Sequence, residues 1–458
     1  MHDRGHLQFE QYTLASGLTV ILHRDGFSPA AAVMVMYHAG SKNESPGRTG
    51  LAHLFEHLMF KGSEHVADGE HFRLLQEAGA TVNGSTSEDR TNYYEVVPSN
   101  YLELALFLES DRMGYLPGAV DQAKLDNQRE VVKNERRQNY DNVPYGTAYE
   151  TLAREVYGPG HPYSWPVIGS MEDLSAASLE DVKAFFRTHY APANACLVVS
   201  GDFVRDQAVK WIGKYFDSLP RGAPPAAVPP APARLAEDRH IVSGENVHLP
   251  RLYLSWPGPP RGTREDALLD VLTTILSSGK NSRLYRPLVF DRQIAQSVSA
   301  FTDGKEIAGM VTIDATARPG ESLTEISRCI FGQIEQLLAQ GVTEREIEAA
   351  YNGKEAQIAS RRTTSLGIAN GLATAWTLSG DAENFNRDLV RFQGITPEEI
   401  LRAARTVFSG HHVSLSIVPR GEMSPTSPDG AGATGADSPA GPPQAPGHHE
   451  RTSRTFTR

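Results

Sequence analysis

Apolar and polar positions along the chain follow two periods. Runs rich in β-branched and apolar residues at 18–23, 31–37, 195–200 and 413–418 predict strands, and Ser16-Gly17 between residues 12–15 and 18–23 predicts a hairpin. Apolar residues at helical spacing predict helices from about Gly50, over 126–138, over 178–190 and over 396–408. The last two open alike, with Ser178 or Thr396 followed three residues later by Asp181 or Glu399, the pattern of a capping box. Each also runs into a predicted strand. One design met twice suggests duplication, and the interleaving predicts an α+β fold of two similar domains, each a largely antiparallel sheet covered by helices.

The length supports that division, because 458 residues exceed one ordinary core. Residues 219–233 are rich in Pro and Ala, which favours extended backbone and excludes a helix or central strand. The expected units are therefore 1–220, a linker at 221–240, a second domain at 241–420, and a tail at 421–458 whose composition cannot support a core. With 55 acidic against 44 basic side chains, a net charge of −11 and no basic run, nucleic acid is excluded as a partner. Cys196 and Cys329 stand far apart in apolar surroundings and are expected to be buried thiols rather than a disulfide. No stretch of 18 apolar residues occurs, and the start lacks the apolar core of a signal peptide. The sequence as it stands is expected to be cytoplasmic and not inserted in a membrane, with the periplasm as the alternative if a leader precedes it.

Candidate chemistry concentrates in Gly50-Leu-Ala-His53-Leu-Phe-Glu56-His57-Leu-Met-Phe60. Histidines at i and i+4 are neighbours on a helix surface, close enough for both rings to reach one zinc ion. The order His-x-x-Glu-His is the inverzincin signature, in which the glutamate acts as general base. A match of this length arises by chance in roughly 4% of chains of such composition, and the bland alternative makes His53 and His57 ordinary half-buried helix residues. A catalytic zinc needs a third protein ligand and an open position. The helix over 126–138 offers Glu130 and Glu135, between which spacing alone does not decide.

Taken together, His53-Leu-Phe-Glu56-His57 and the later Val131-Val-Lys-Asn-Glu135-Arg resemble the M16 family of zinc peptidases, the family of pitrilysin, insulin-degrading enzyme and the mitochondrial processing peptidase. Gly79-Ala-Thr-Val-Asn83-Gly-Ser-Thr-Ser, Asp89-Arg-Thr-Asn-Tyr93-Tyr, Gly160-His-Pro-Tyr163 and Ser282-Arg-Leu-Tyr285 agree with it, so the likeness spans roughly residues 8 to 420. The resemblance implies one Zn2+ per chain held by His53, His57 and Glu135, with Glu56 as base. It implies that an edge strand around Asn83, Gly84 and Ser85 pairs with peptide substrate, where the residues alone would suggest a plain Asn-Gly turn. Gln128 replaces a glutamate common in the family seven residues before the third ligand, leaving Gln128 and Glu130 as the candidates to stand behind it.

The family likeness also carries an informative absence. Self-sufficient relatives follow the Ser-Arg-Leu segment with an Arg and a Tyr that bind substrate and polarise the scissile carbonyl, and here those positions fall on Val289 and Gln296. The expected protein is a bacterial-type, half-length catalytic subunit, half of a clamshell, hydrolysing unfolded peptides beside a homologous subunit that lacks zinc and supplies the Arg and Tyr. Arg292 nearby keeps a homodimer open as the alternative. The rival functions are a non-catalytic structural subunit of the same fold and a targeting-peptide processing protease.

Overall fold

In a computed structural model of the chain, residues 6–421 are described, so the expected tail lies outside them except for Gly421. Eleven strands among these residues form two sheets. The first contains β1 (Glu10–Thr13), β2 (Thr19–Arg24), β3 (Ala30–Tyr37), β4 (Thr81–Thr86), β5 (Thr91–Pro98) and β6 (Ala195–Gly201), in the order β1-β2-β6-β3-β5-β4. The second contains β7 (Arg239–Glu245), β8 (Arg251–Gly258), β9 (Ala295–Gly304), β10 (Gly309–Ala317) and β11 (Val413–Pro419), in the order β7-β11-β8-β10-β9.

With β1 set aside, the two sheets have one topology. The pairs β2·β6 and β7·β11 are parallel, and every other pairing is antiparallel in both sheets. The helices leading into the last strand of each half, Leu179–His189 and Pro397–Phe408, both carry the reciprocal capping box read from the sequence. The expected α+β duplication is the architecture observed. Cys196 and Cys329 are free and buried. No helix among the described residues is long and apolar enough to cross a membrane.

Each sheet buries one face under its own half's helices and the other under a helix from the opposite half. Ile368, Ala369, Leu372 and Ala373 of helix Ser365–Ser379 pack on Met34, Met36, Cys196 and Val198 of the first sheet. Reciprocally, Ala148, Leu152 and Val156 of helix Ala148–Tyr157 pack on Tyr253, Leu415 and Ile417 of the second. Neither helix finds its cover within its own half. The segment between the halves is pinned as well, since His161 Nε2 lies 2.6 Å from the carbonyl oxygen of Ala231.

Arg283, from the Ser282-Arg-Leu-Tyr285 segment, forks onto Glu346 at 2.7 and 2.8 Å and donates to the Gly341 carbonyl at 2.9 Å, tying two helical regions of the second half. Those bonds are the main reason that the Glu346 carboxyl is lowered to about 2. A carboxyl held below its unfolded value adds stability above that value and loses it as pH falls toward the folded one. The stability gap between wild type and Glu346→Gln, measured by urea unfolding, is therefore expected to be largest near neutrality and to shrink between pH 5 and pH 3. Leu372 is fully buried in the exchanged helix, and Leu372→Ala is expected to cost about 2–5 kcal/mol, read as a lower melting temperature.

Candidate metal centre

The helix Leu51–Leu58 starts where only glycine fits. Gly50 has φ +86, and a Cβ there would lie 2.7 Å from the Ile168 carbonyl oxygen. Glu44 takes the place of a capping residue, accepting from the N–H of Gly50 at 2.9 Å and of Ala52 at 2.7 Å. Burial nevertheless pushes its carboxyl up, to about 8. Leu51, Leu54, Phe55 and Leu58 are buried in the main core of the first half, which fixes the helix in rotation and turns His53 and His57 to the remaining face.

There the rings stand 4.8 Å apart, centroid to centroid, at 82°. Helix Gln122–Arg136 brings the carboxylate of Glu135 to them, with Oε2 3.8 Å from His53 Nε2 and 3.4 Å from His57 Nε2. Zinc bonds of about 2.0–2.1 Å at tetrahedral angles separate neighbouring ligand atoms by about 3.3 Å. Two imidazole nitrogens and a carboxylate oxygen in this arrangement fit that ion. Burial, helped by neighbouring His57, lowers His53 to about 4, so its ring is neutral and able to ligate at ordinary pH. Burial acts to raise Glu135, but the hydrogen bond from His57 and the nearness of both imidazoles outweigh it and hold the carboxyl low.

Glu56 is only 5% exposed and projects beside the pair. Its Oε2 accepts a hydrogen bond of 2.5 Å from Thr86 Oγ1, and burial raises its pKa against that bond. Thr86 closes strand β4, an open edge of the first sheet, and strand alternation gives Val82, Gly84 and Thr86 the face toward the metal helix. The expected segment Asn83, Gly84 and Ser85 thus forms an edge strand rather than an Asn-Gly turn. Its side chains divide, however. Asn83 accepts from the N–H of Gly84 at 2.8 Å, and Ser85 bonds Asn92 at 2.6 Å on the opposite face. A side chain added at Gly84 would approach Tyr93 and Phe60 at 3.1 and 3.3 Å. The residue that reaches Glu56 is Thr86, which the metal motif does not reveal but the period-two count along the strand would have.

The two residues expected behind Glu135 do not touch it. Gln128 is buried and donates to Asn127 at 2.7 Å, and Glu130 is exposed and pairs with Lys133 at 3.0 Å. In the second half, Gln296 is exposed at the start of β9, and Arg292 pairs with Glu325 at 3.0 Å. Sequence reasoning also missed the turn after β4. Asp89 there accepts from Tyr163 Oη at 2.5 Å and from the N–H of Glu306 at 2.9 Å, so the tip of the β9–β10 hairpin clamps this turn. Arg90 donates to the Ser85 carbonyl at 2.8 Å and to Ser85 Oγ at 2.6 Å.

A second set of possible ligand atoms, from His71, Glu95 and Glu109, lies within 4.8 Å in the core. Arg112 already supplies its cation, forking onto Glu109 and reaching Glu95 at 3.2 Å, over the Tyr93 ring at 4.3 Å. Glu135 by contrast is ion-paired with His53 and His57 alone among the described residues.

Two family models match the chain in succession, Insulinase (Peptidase family M16) over residues 19–159 and Peptidase M16 inactive domain over residues 176–354. The chain belongs to the M16 family. His53, Glu56, His57 and Glu135 all fall in the first of these M16 regions. Among relatives, the zinc protease PqqE of Helicobacter pylori is 28% identical over 413 residues, covering 89% of this chain and 92% of that protein. The uncharacterized zinc protease YmxG of Bacillus subtilis is 24% identical over 419 residues, covering 90% and 99%. The crystal structure of a protease from Helicobacter pylori superposes with a TM-score of 0.83 at 26% identity, covering 90% of this chain and all 100% of the other.

Purified protein is expected to bind one zinc ion per chain by elemental analysis. Glu135→Ala and His57→Ala should lose it, while Glu130→Ala should keep it.

Proposed function

We propose that this M16 chain is a zinc metalloendopeptidase of unfolded peptides and the catalytic member of a two-component enzyme. The observation that carries the reading is the convergence of His53, His57 and Glu135 on one point beside a buried carboxylate held by Thr86. In this reading residues 1–220 are the zinc domain, 221–240 the linker and 241–420 its M16-like counterpart.

His53, His57 and Glu135 would hold the metal, which when bound lowers the pKa of water and polarises a carbonyl. Glu56 does the proton work. Its raised pKa suits a group that accepts a proton from the attacking water and then delivers it to the leaving amine nitrogen. Thr86 fixes which carboxylate oxygen is engaged, leaving the other for that exchange. The β4 edge offers unpaired backbone groups to an extended peptide, so affinity comes from main-chain bonds that tolerate many sequences. A folded protein cannot present such a strand.

The second half has no Arg at Val289 and no Tyr at Gln296, and Arg292 is engaged with Glu325. A homologous subunit carrying that Arg and Tyr completes the site in this reading. Cleavage of an internally quenched peptide tests it. The zinc-loaded chain is expected to be nearly silent alone and to gain chelator-sensitive activity with the partner homologue, and Glu56→Gln in the mixture should keep zinc yet lose at least about 10²-fold in rate. Full activity of the chain alone would overturn the two-component reading, and a mixture indifferent to Glu56→Gln would overturn the peptidase.

A further inference from the structure

A polar cleft of about 280 Å³ opens in the second half between the start of helix Arg264–Ser277, the end of β9 and helix Glu344–Arg361. Its charges are unevenly paired. The four aspartates that line it are all engaged. Asp266 pairs with Arg391 at 2.8 Å, Asp388 with the same Arg391 at 3.1 Å, Asp270 with Lys354 at 2.7 Å, and Asp303 with Lys305. The guanidinium groups of Arg261 and Arg361, also in the lining, have no ion pair or hydrogen bond among the described residues. The lining as a whole is balanced, four aspartates against Arg261, Lys354, Arg361 and Arg391, but Arg391 serves two aspartates, so Arg261 and Arg361 face the cavity with forked donors left over.

The cleft borders the metal centre's own support. Gly304 in its wall lies at the tip of the β9–β10 hairpin, and the next residue, Lys305, lies 3.5 Å from Glu88 of the turn after β4. The N–H of Arg261 donates to the Lys305 carbonyl at 2.8 Å. Arg90, on the same turn, is held low chiefly by burial. Arg261 pushes the same way and Glu56 opposes it, so Arg90 is the electrostatic neighbour of both cleft and base. Arg90 therefore stands between Glu56 and Arg261, which places the cleft beside the surroundings of the base.

We propose that this cleft is a carboxylate-binding subsite for peptide substrates, with Arg261 and Arg361 as the groups that receive the carboxylate. The proposal deepens the peptidase reading and takes its ligand class from it. The fork of an arginine matches a carboxylate with two parallel hydrogen bonds. The cavity admits a side chain or a chain end but not a folded surface. The ligand group is a C-terminal carboxylate or an Asp or Glu side chain of a peptide lying along the β4 edge.

Binding without turnover separates this inference from the peptidase reading. The zinc-loaded full chain carrying Glu56→Gln is titrated into a fluorescently labelled unstructured peptide and followed by anisotropy. Three forms of the peptide are compared: free C-terminus, C-terminal amide, and amide with every Asp and Glu replaced by Asn and Gln. The fully neutralised form is expected to bind about five- to tenfold more weakly than the free acid. The amide form tells which carboxylate is used. Arg261→Ala with Arg361→Ala should reduce the preference to about one, and Arg361→Glu should invert it. Both residues are exposed and unpaired, so the melting temperature should not move. A preference that survives the double substitution, equal binding of all three forms, or no binding of any overturns the subsite. None of these results depends on cleavage.

Discussion

Placing a carboxylate and two imidazoles on the last uncovered face of a buried helix is the costly step around which this molecule is arranged. An ionisable group taken out of water without partners costs several kcal/mol, and every element near the helix Leu51–Leu58 answers part of that cost. Glu44 satisfies the helix start, Thr86 bonds Glu56, and Glu135 arrives from another helix to face both rings. The turn behind Thr86 is held in turn by Tyr163 and by the backbone of Glu306, from the other half of the chain. The candidate metal centre is thus local in sequence only at its first five residues.

What could be read from the sequence follows that distinction. The metal helix, the two capped helices and the strands 31–37, 195–200 and 413–418 rest on periodicity and capping within a few residues, and the structure has them. Choosing Glu135 over Glu130 needed the family likeness, because both sit on one amphipathic helix and only the packing shows Glu130 turned to solvent beside Lys133. Thr86 was within reach only of a period-two count along its strand, and the hairpin clamp on Asp89 was not legible at all, since it depends on which loop of the second half reaches the first. Asn83 and Ser85, expected at substrate, lie on the edge strand, but their side chains leave it on the face away from the metal helix.

Chemical identity of residues is a weaker guide than what surrounds them. His71, Glu95 and Glu109 have the same donor types as His53, His57 and Glu135 and a similar spread. One set closes on an arginine between two aromatic rings and serves the core, while the other is open at the end of a helix beside an edge strand. Duplication shows the same principle at a larger scale. Two sheets of one topology differ in what they support, one the candidate metal centre and the other a hairpin and a charged cleft.

The exchange of helices between the halves changes what a domain means in this chain. Helix Ala148–Tyr157 belongs to the first half by sequence and to the second by its apolar contacts, and helix Ser365–Ser379 is the converse. A break in the Pro and Ala segment would therefore leave two fragments interlocked through the exchanged helices. Either fragment alone would present a bare sheet face and a stranded amphipathic helix, the makings of a sticky, swap-prone species. Each repeat covers what the other leaves bare, and the candidate metal centre sits on that shared packing.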